Sequence, residues 1–296
     1  MKSFILGTDW WSDCDDVVAL RLLCRKVKAG EIALRGVVIN ACMEHSVASL
    51  DGFLSEEGLS DVPIGIDREG TDFYGADATR YQARLSRYAT RYRANEDAEE
   101  AVRLYRRLLT EADEPTEIVE IGFLQAVAAL LQSKGDDISP LDGVELVRQK
   151  VKKFWVMAGK WDEDGGLEHN FCNNARSRRG AHIFCELCPV PVTFLGFETG
   201  VSVISGDTLP PHDLLYQAMC DHGSPNGRNS WDPMTALLAV IGDETAAGYR
   251  TVVGRASVDE PTGSNRFEPC QDGLHCYVIK TEDDSYYQHA INAIIG

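Results

Sequence analysis

Apolar and polar positions along this chain alternate between two spacings. Short continuous apolar runs, Phe4-Ile5-Leu6, the β-branched stretch 32–40, Pro63-Ile64-Gly65-Ile66 and Ile118-Val119-Glu120-Ile121-Gly122, have the length and composition of buried strands. Between them lie segments with helical spacing. One begins at Asp15 and buries Val17, Val18, Leu20, Leu22 and Leu23; others are predicted at 46–54 and 124–131. The stretch 77–112 is rich in Arg, Tyr, Ala and Glu and reads as helix with a break near Asn95. The alternation continues with strand 154–157, helix 175–187, strand 192–195 and helix 233–240. Strands at 251–258 and 274–279, near a sheet edge, and a closing helix at 285–294 complete the pattern. Strands alternating with helices imply parallel pairing through crossovers. The expected fold is therefore α/β, a mostly parallel central sheet flanked by helices. No internal repeat or linker interrupts it, which predicts one domain over residues 1–296.

Composition narrows the function. The 296 residues are 44% hydrophobic and 25% charged, enough for a substantial core. Forty-six acidic against 29 basic residues give a formal charge of −17. Such a surface repels phosphate backbones and anionic lipid, so neither nucleic acid nor membrane is an expected partner. Cations and neutral polar ligands suit it. No apolar run approaches the roughly 20 residues of a membrane span, and Asp9 interrupts the N-terminal apolar stretch too early for a signal peptide. Nine cysteines, scattered except for Cys185 and Cys188, fit reduced thiols, and a cytoplasmic location is expected.

The densest chemical signal is Asp9-Trp10-Trp11-Ser12-Asp13-Cys14-Asp15-Asp16, between the first strand and the first helix. Four carboxylates in eight residues repel one another unless a cation or protons neutralise them. An acidic helix start accounts for Asp15 and Asp16 through the macrodipole, but not for Asp9 at the strand end. A hard divalent ion with oxygen ligands accounts for all of them.

This segment, Asp9-(x)5-Asp15-Asp16-Val17-Val18-Ala19-Leu20, resembles the N-terminal signature of the nucleoside hydrolases, the inosine–uridine-preferring family. Four further segments follow in order. Gly122-Phe123-Leu124-Gln125-Ala126-Val127-Ala128 is similar to that family's Gly-x-Leu-Thr-Asn-Ile-Ala; Val156-Met157-Ala158-Gly159 to its Met-Gly-Gly strand end; and Glu168-His169-Asn170-Phe171 to its Glu-Phe-Asn. Trp231-Asp232-Pro233 falls where the family has an aspartate at a helix start. The resemblance implies a Rossmann-like fold, calcium-dependent cleavage of a ribosidic C–N bond to ribose and free base, and a homodimer or homotetramer. It implies calcium held by Asp9, Asp16, Asp232 and the carbonyl of Gln125, with Asp9 as general base on a water. Asp15, Asn40, Glu168 and Asn170 are the implied contacts to ribose hydroxyls.

The chain departs from that pattern in three places. Its acidic loop is two residues longer than the commonest family form, so Asp13 rivals Asp15 and Asp16 as the functional aspartate. Trp10 and Trp11 replace Pro-Gly, and serve either as a stacking platform for a base or as core and wall. Trp231 stands where many members carry a histidine that protonates the leaving base; an indole cannot, but it can stack. After the second strand, Asn40 takes the place of the family's Gly-Asn asparagine, with Glu44 and His45 nearby.

The glycine-rich loops 159–168 and 224–229 are expected to be mobile and to border a ligand site. Glu168 and Asn170 alone would otherwise read as a solvated loop, and the Arg176, Arg178, Arg179 cluster as a solvated helix face. Two other functions stay open at this point. One is a noncatalytic calcium-dependent nucleoside or sugar binder. The other is a metal-dependent phosphohydrolase, which wants a lysine and a Ser/Thr at later strand ends, and no convincing set is present.

Overall fold

The computed structural model describes residues 1–74 and 80–296. In chain order its strands are β1 Lys2–Thr8, β2 Ile32–Ile39, β3 Ile64–Ile66, β4 Glu99–Glu100, β5 Thr116–Glu120 and β6 Val151–Met157. They continue with β7 Val192–Leu195, β8 Ile204–Ser205, β9 Arg228–Asn229, β10 Tyr249–Val258, β11 Asn265–Pro269 and β12 His275–Lys280. Ten of these form one sheet in the order β11-β10-β12-β7-β6-β5-β1-β2-β3-β4, while β8 and β9 make a separate ribbon. From β4 across to β12 all neighbours pair in parallel; β10 is antiparallel to both its neighbours.

The helices are α1 Asp15–Lys28, α2 Ser46–Glu56, α3 Gln82–Leu85, α4 Ala101–Thr110, α5 Gln125–Gln132 and α6 Gly143–Lys150. After them come α7 His169–Cys172, α8 Ala175–Leu187, α9 Phe197–Gly200, α10 Leu214–His222, α11 Trp231–Ile241 and α12 Asp284–Ile295. They cover both faces of the sheet, and alternate strand residues divide between two cores. Phe4 and Leu6 of β1, with Trp155 and Met157 of β6, pack against α1, α2, α11 and α12. Ile5 of β1, with Phe154 and Val156, packs against α4, α5, α6 and α8. Fully burying one such side chain contributes roughly 1.5–3 kcal/mol. Every strand that the sequence predicts is present, each within a few residues of its expected bounds.

The stretch 77–112 corrects the sequence expectation. Its beginning, residues 77–79, lies outside the described residues. The described rest is not one broken helix: α3 running into a turn at Ser86–Tyr88, a separate turn at Asn95–Asp97 and the extended pair β4 precede α4. Side chains there capture backbone donors that a helix would use. Asp51 accepts from the N–H groups of Thr90 and Arg91 at 2.6 and 2.9 Å, and Asp97 from those of Arg93 and Ala94 at 2.7 and 2.9 Å. Elements the apolar pattern did not announce include α6 and α10. Both begin at an aspartate cap, Asp142 to Glu145 N–H at 2.9 Å and Asp213 to Leu215 N–H at 2.8 Å.

Strand β1 lies between β2 and β5, so successive crossovers leave it in opposite directions. The crevice beyond the carboxyl ends of β1 and β5 is where an open parallel sheet receives its ligand.

Candidate active site

At the end of β1 the chain turns sharply so that Asp9 and Trp10 part company. Trp10 takes a left-handed φ of +48°, unfavourable for a residue with a Cβ by about 1–2 kcal/mol. The turn is held by burial of its indole against Phe53 and Tyr81 and by a 2.8 Å bond from its Nε1 to Ser49 Oγ. Asp9 is left facing the crevice, its Oδ1 accepting the Trp11 N–H at 3.1 Å. Behind it the end of β5 passes so close that a Cβ on Gly122 would lie 2.3 Å from the Asp9 nitrogen, which only glycine permits.

Helix α1 then starts with Asp15 and Asp16 in its first turn, and α11 brings Asp232 in its own first turn. Both positions favour negative charge through the helix dipoles. The Asp232 N–H donates to Asp15 Oδ2 at 3.2 Å, and the Thr8 hydroxyl donates to Asp16. Carboxylate oxygens of Asp15, Asp16 and Asp232 all lie within 4.8 Å of one another. The three residues are only 3%, 2% and 5% exposed. Asp9, partly open, lines the same cavity of about 210 Å³.

Removal from water, followed by mutual repulsion, pushes the Asp9 carboxyl up to about 8 and those of Asp15, Asp16 and Asp232 well above the ordinary carboxylate range. Arg228, which lines the cavity, is committed to Asp13, with Nε at 2.8 Å and Nη2 at 2.5 Å. Burial acts against Asp13, but these bonds outweigh it and hold its carboxyl below the usual range. Asp13 is thus paired, and the unpaired cluster is Asp9, Asp15, Asp16 and Asp232. Its donors are all oxygens, the set a hard divalent cation takes. The described residues lining the cavity include no lysine.

Other walls come from β5, β6, α7, α9 and α11. Glu168 caps α7, accepting N–H groups of Asn170 at 2.8 Å and Gly159 at 3.0 Å; burial nevertheless pushes its carboxyl up to about 7. The Asn170 amide donates to the carbonyls of Met157 at 2.9 Å and Ile121 at 3.4 Å. Phe197 and Trp231 stack at 5.5 Å and 26°, with the Trp231 Nε1 donating to the Phe197 carbonyl at 2.8 Å. The Arg228 guanidinium lies 5.4 Å from the Trp231 ring. His169 lines the cavity too; surrounding protein lowers its basicity, against the opposing pull of Asp13.

The structure therefore gathers Asp9, Asp13, Asp15, Asp16, Glu168, Asn170, Trp231 and Asp232 around one cavity. Four expected residues are elsewhere. Gln125 opens α5 and lines a different cavity, with its amide donating to the Asn40 carbonyl and to Asp67 Oδ2; Ile121, at the end of β5, reaches the acidic site instead. Asn40 is fully buried behind the site, donating to Glu120 at 2.8 Å and accepting the Phe123 N–H at 3.0 Å, so it props the β5 end. Trp10 is core. Trp11 packs on Phe73 and Phe123, away from the cavity. The tandem tryptophans are not a stacking platform.

Other candidates have structural partners. Arg176 pairs with Asp72 at 3.0 Å, the His182 ring bonds the Val258 carbonyl at 2.8 Å, and Glu44 faces His45 at 3.8 Å. All nine cysteines are free, Cys185 and Cys188 among the buried ones. Sequence reasoning missed Phe197, His169 and Arg228 as lining residues. Arg228 sits in the loop 224–229 flagged for its glycine and asparagine, and ribbon pairing of β9 with β8 fixes it there. The loop 159–168 is likewise tied down, through Asn265, which bonds the Lys160 N–H at 2.9 Å and carbonyl at 2.8 Å.

No protein-family profile matches the chain, and no curated protein sequence does. Solved structures do. The chain is similar to the inosine–uridine preferring nucleoside hydrolase of Bacillus anthracis, with TM-score 0.69 and 16% identity over 100% of this chain and 99% of the other. It is similar to a plant nucleoside hydrolase, with TM-score 0.72 and 14% identity over 99% and 98%. A purine-preferring ribonucleoside hydrolase of Gardnerella vaginalis gives TM-score 0.70 and 15% identity over 99% and 98%. Over its full length this protein has the nucleoside hydrolase fold.

Proposed function

We propose that this protein hydrolyses the N-glycosidic bond of ribonucleosides, or of a related ribosyl compound, releasing ribose and a free base with calcium as cofactor. The observation that carries this reading is the convergence of Asp9, Asp15, Asp16 and Asp232 in one cavity whose arginine, Arg228, is bonded to Asp13, beside the Phe197–Trp231 stack. Asp9, Asp16 and Asp232 are the proposed ligands, with Asp15 shared between the ion and ribose hydroxyls. The carbonyl of Ile121 replaces that of Gln125 as main-chain ligand. Calcium supplies the positive charge that keeps these carboxylates ionised, and oxygen-coordination sites for water and vicinal hydroxyls.

The chain's own groups do the rest. Asp9 takes the proton of the attacking water. The remaining carboxylates stabilise positive charge developing on the sugar as the C–N bond lengthens. Asn170 has its amide nitrogen committed to Met157 and Ile121, so its oxygen is the atom it offers to a hydroxyl. Glu168, braced by two backbone N–H groups, accepts another hydroxyl. The stacked Trp231 and Phe197 take the base.

The test is a panel of ribonucleosides incubated with the protein in calcium or in chelator, with released ribose measured by reducing-sugar chemistry. Calcium-dependent ribose release supports the reading. Calcium-dependent nucleoside binding without release would make the protein a binder, and neither effect would remove the reading altogether.

A further inference from the structure

His169 holds a place in the cavity that the reaction above leaves unused. It shares the lining with Trp231, Phe197 and Arg228, and its ring centroid is 5.7 Å from that of Phe123. Its protonation is dictated by Asn173. The Tyr74 N–H donates to Asn173 Oδ1 at 2.8 Å, and Asn173 Nδ2 donates to the Tyr74 carbonyl at 2.6 Å. These two bonds fix which end of the amide is nitrogen. Its second hydrogen serves His169 Nε2, 3.1 Å away. A protonated Nε2 would set one donor against another, so Nε2 is the acceptor and the single ring proton resides on Nδ1.

We infer that His169 is a catalytic residue of the proposed hydrolysis, a neutral imidazole whose Nδ1–H hydrogen-bonds the departing base. This rests on the hydrolase reading of the site. When the C1′–N bond breaks, its electron pair stays with the base, while water gives hydroxide to C1′ and a proton to Asp9. The base leaves as an anion and takes its proton from solvent. A hydrogen bond from a fixed neutral donor stabilises the charge that develops on it, with no proton transferred from the ring. Two neighbouring donors are engaged elsewhere, Trp231 Nε1 with the Phe197 carbonyl and Arg228 with Asp13. Charged groups around the cavity are Asp13 and the carboxylate cluster, Glu168 next in sequence, and Arg228. The acids favour a cationic ring and Arg228 opposes it; the Asn173 contact decides for the neutral form.

The experiment compares wild type, His169→Phe, His169→Gln and Asn173→Asp, each with calcium. One substrate is a purine ribonucleoside and the other 4-nitrophenyl β-D-ribofuranoside, whose phenolate leaves without assistance. His169→Phe should lose about 10²-fold in kcat on the nucleoside, and no more than about twofold on the nitrophenyl riboside. His169→Gln, which keeps a neutral N–H donor, should recover most of the nucleoside rate. Wild-type kcat should show no imidazole limb in its pH profile, whereas Asn173→Asp, which offers Nε2–H an acceptor, should introduce one. Equal losses on both substrates, no loss on either, or no recovery by glutamine would overturn the role of His169. Wild type inactive on both substrates would overturn the hydrolase reading and this inference with it.

Discussion

Helix α1 meets clusters of carboxylates at two points along its course, under opposite arrangements. Midway along it, Arg21 meets Glu57 at 2.5 Å and Asp213 at 2.7 Å, and Lys28 near its end meets Glu57 at 2.6 Å. Burial works against the Asp213 carboxylate there, but the Arg21 bonds and charge outweigh it and hold the group below its ordinary range. At the N-terminus of the same helix Asp15 and Asp16 join Asp9 and Asp232, and desolvation and repulsion drive all four upward. Like side chains a few turns apart thus differ in whether the protein supplies their counter-charge. The Arg21 site is closed and structural. Among the described residues the cluster has no such partner, and the proposed function assigns its counter-charge to a bound cation.

The sharpest way to break this contrast is Asp9→Ala. Turnover should fall roughly 10³-fold, as for loss of a general base, with calcium binding weakened while circular dichroism shows the fold intact. Above pH 8, where Asp9 is ionised, removing this repelling charge should also raise the Tm of the chelated protein. Full activity in this variant would sink the assignment of the base.

Arg21→Ala should do the reverse. It strands Glu57 and Asp213 without their partner and should cost about 3–5 kcal/mol, read from urea unfolding, with calcium affinity unchanged in the folded fraction.

Calcium itself should stabilise by about 2.7 kcal/mol at a hundred times its Kd, and the pH dependence has a definite sign. Without the ion, the folded carboxyls bind protons that the unfolded chain has already released. Stability of the chelated protein should therefore fall as pH rises from near 4 through about 8, the value for Asp9. In excess calcium that fall should flatten, because the ion replaces the protons. A chelated protein that gains stability over this window would show that the cluster is compensated from within.

The smallest effect belongs to the wall. Trp231→Ala removes the stacking partner of Phe197 and should lower kcat/KM roughly tenfold, with calcium content by elemental analysis unaltered.

Much of this was legible without coordinates. Strand and helix periods identify the α/β alternation because each element must present its apolar residues to a neighbour, as in the split of Phe4 and Leu6 from Ile5. The acidic run 9–16 announces a charged site because no local arrangement neutralises it. The register within that run was not legible: Asp13 is bonded by Arg228, 215 residues away in sequence, while Asp15 meets the N–H of Asp232, 217 residues away. The tandem tryptophans, Asn40 and Gln125 misled for a related reason. Residue type shows what a side chain can contact, while the backbone turn at its position decides which cavity it enters.

Sequence alone determined the periodicity, the strand-end position of Asp9 and the excess of negative charge, since these follow from covalent order and side-chain chemistry. Only tertiary structure decided which carboxylates go unpaired, that Trp10 is core while Trp231 is wall, and that His169 meets Asn173 at the cavity. Each of those outcomes depends on a partner brought from a distant segment, and short-range rules do not fix such distances.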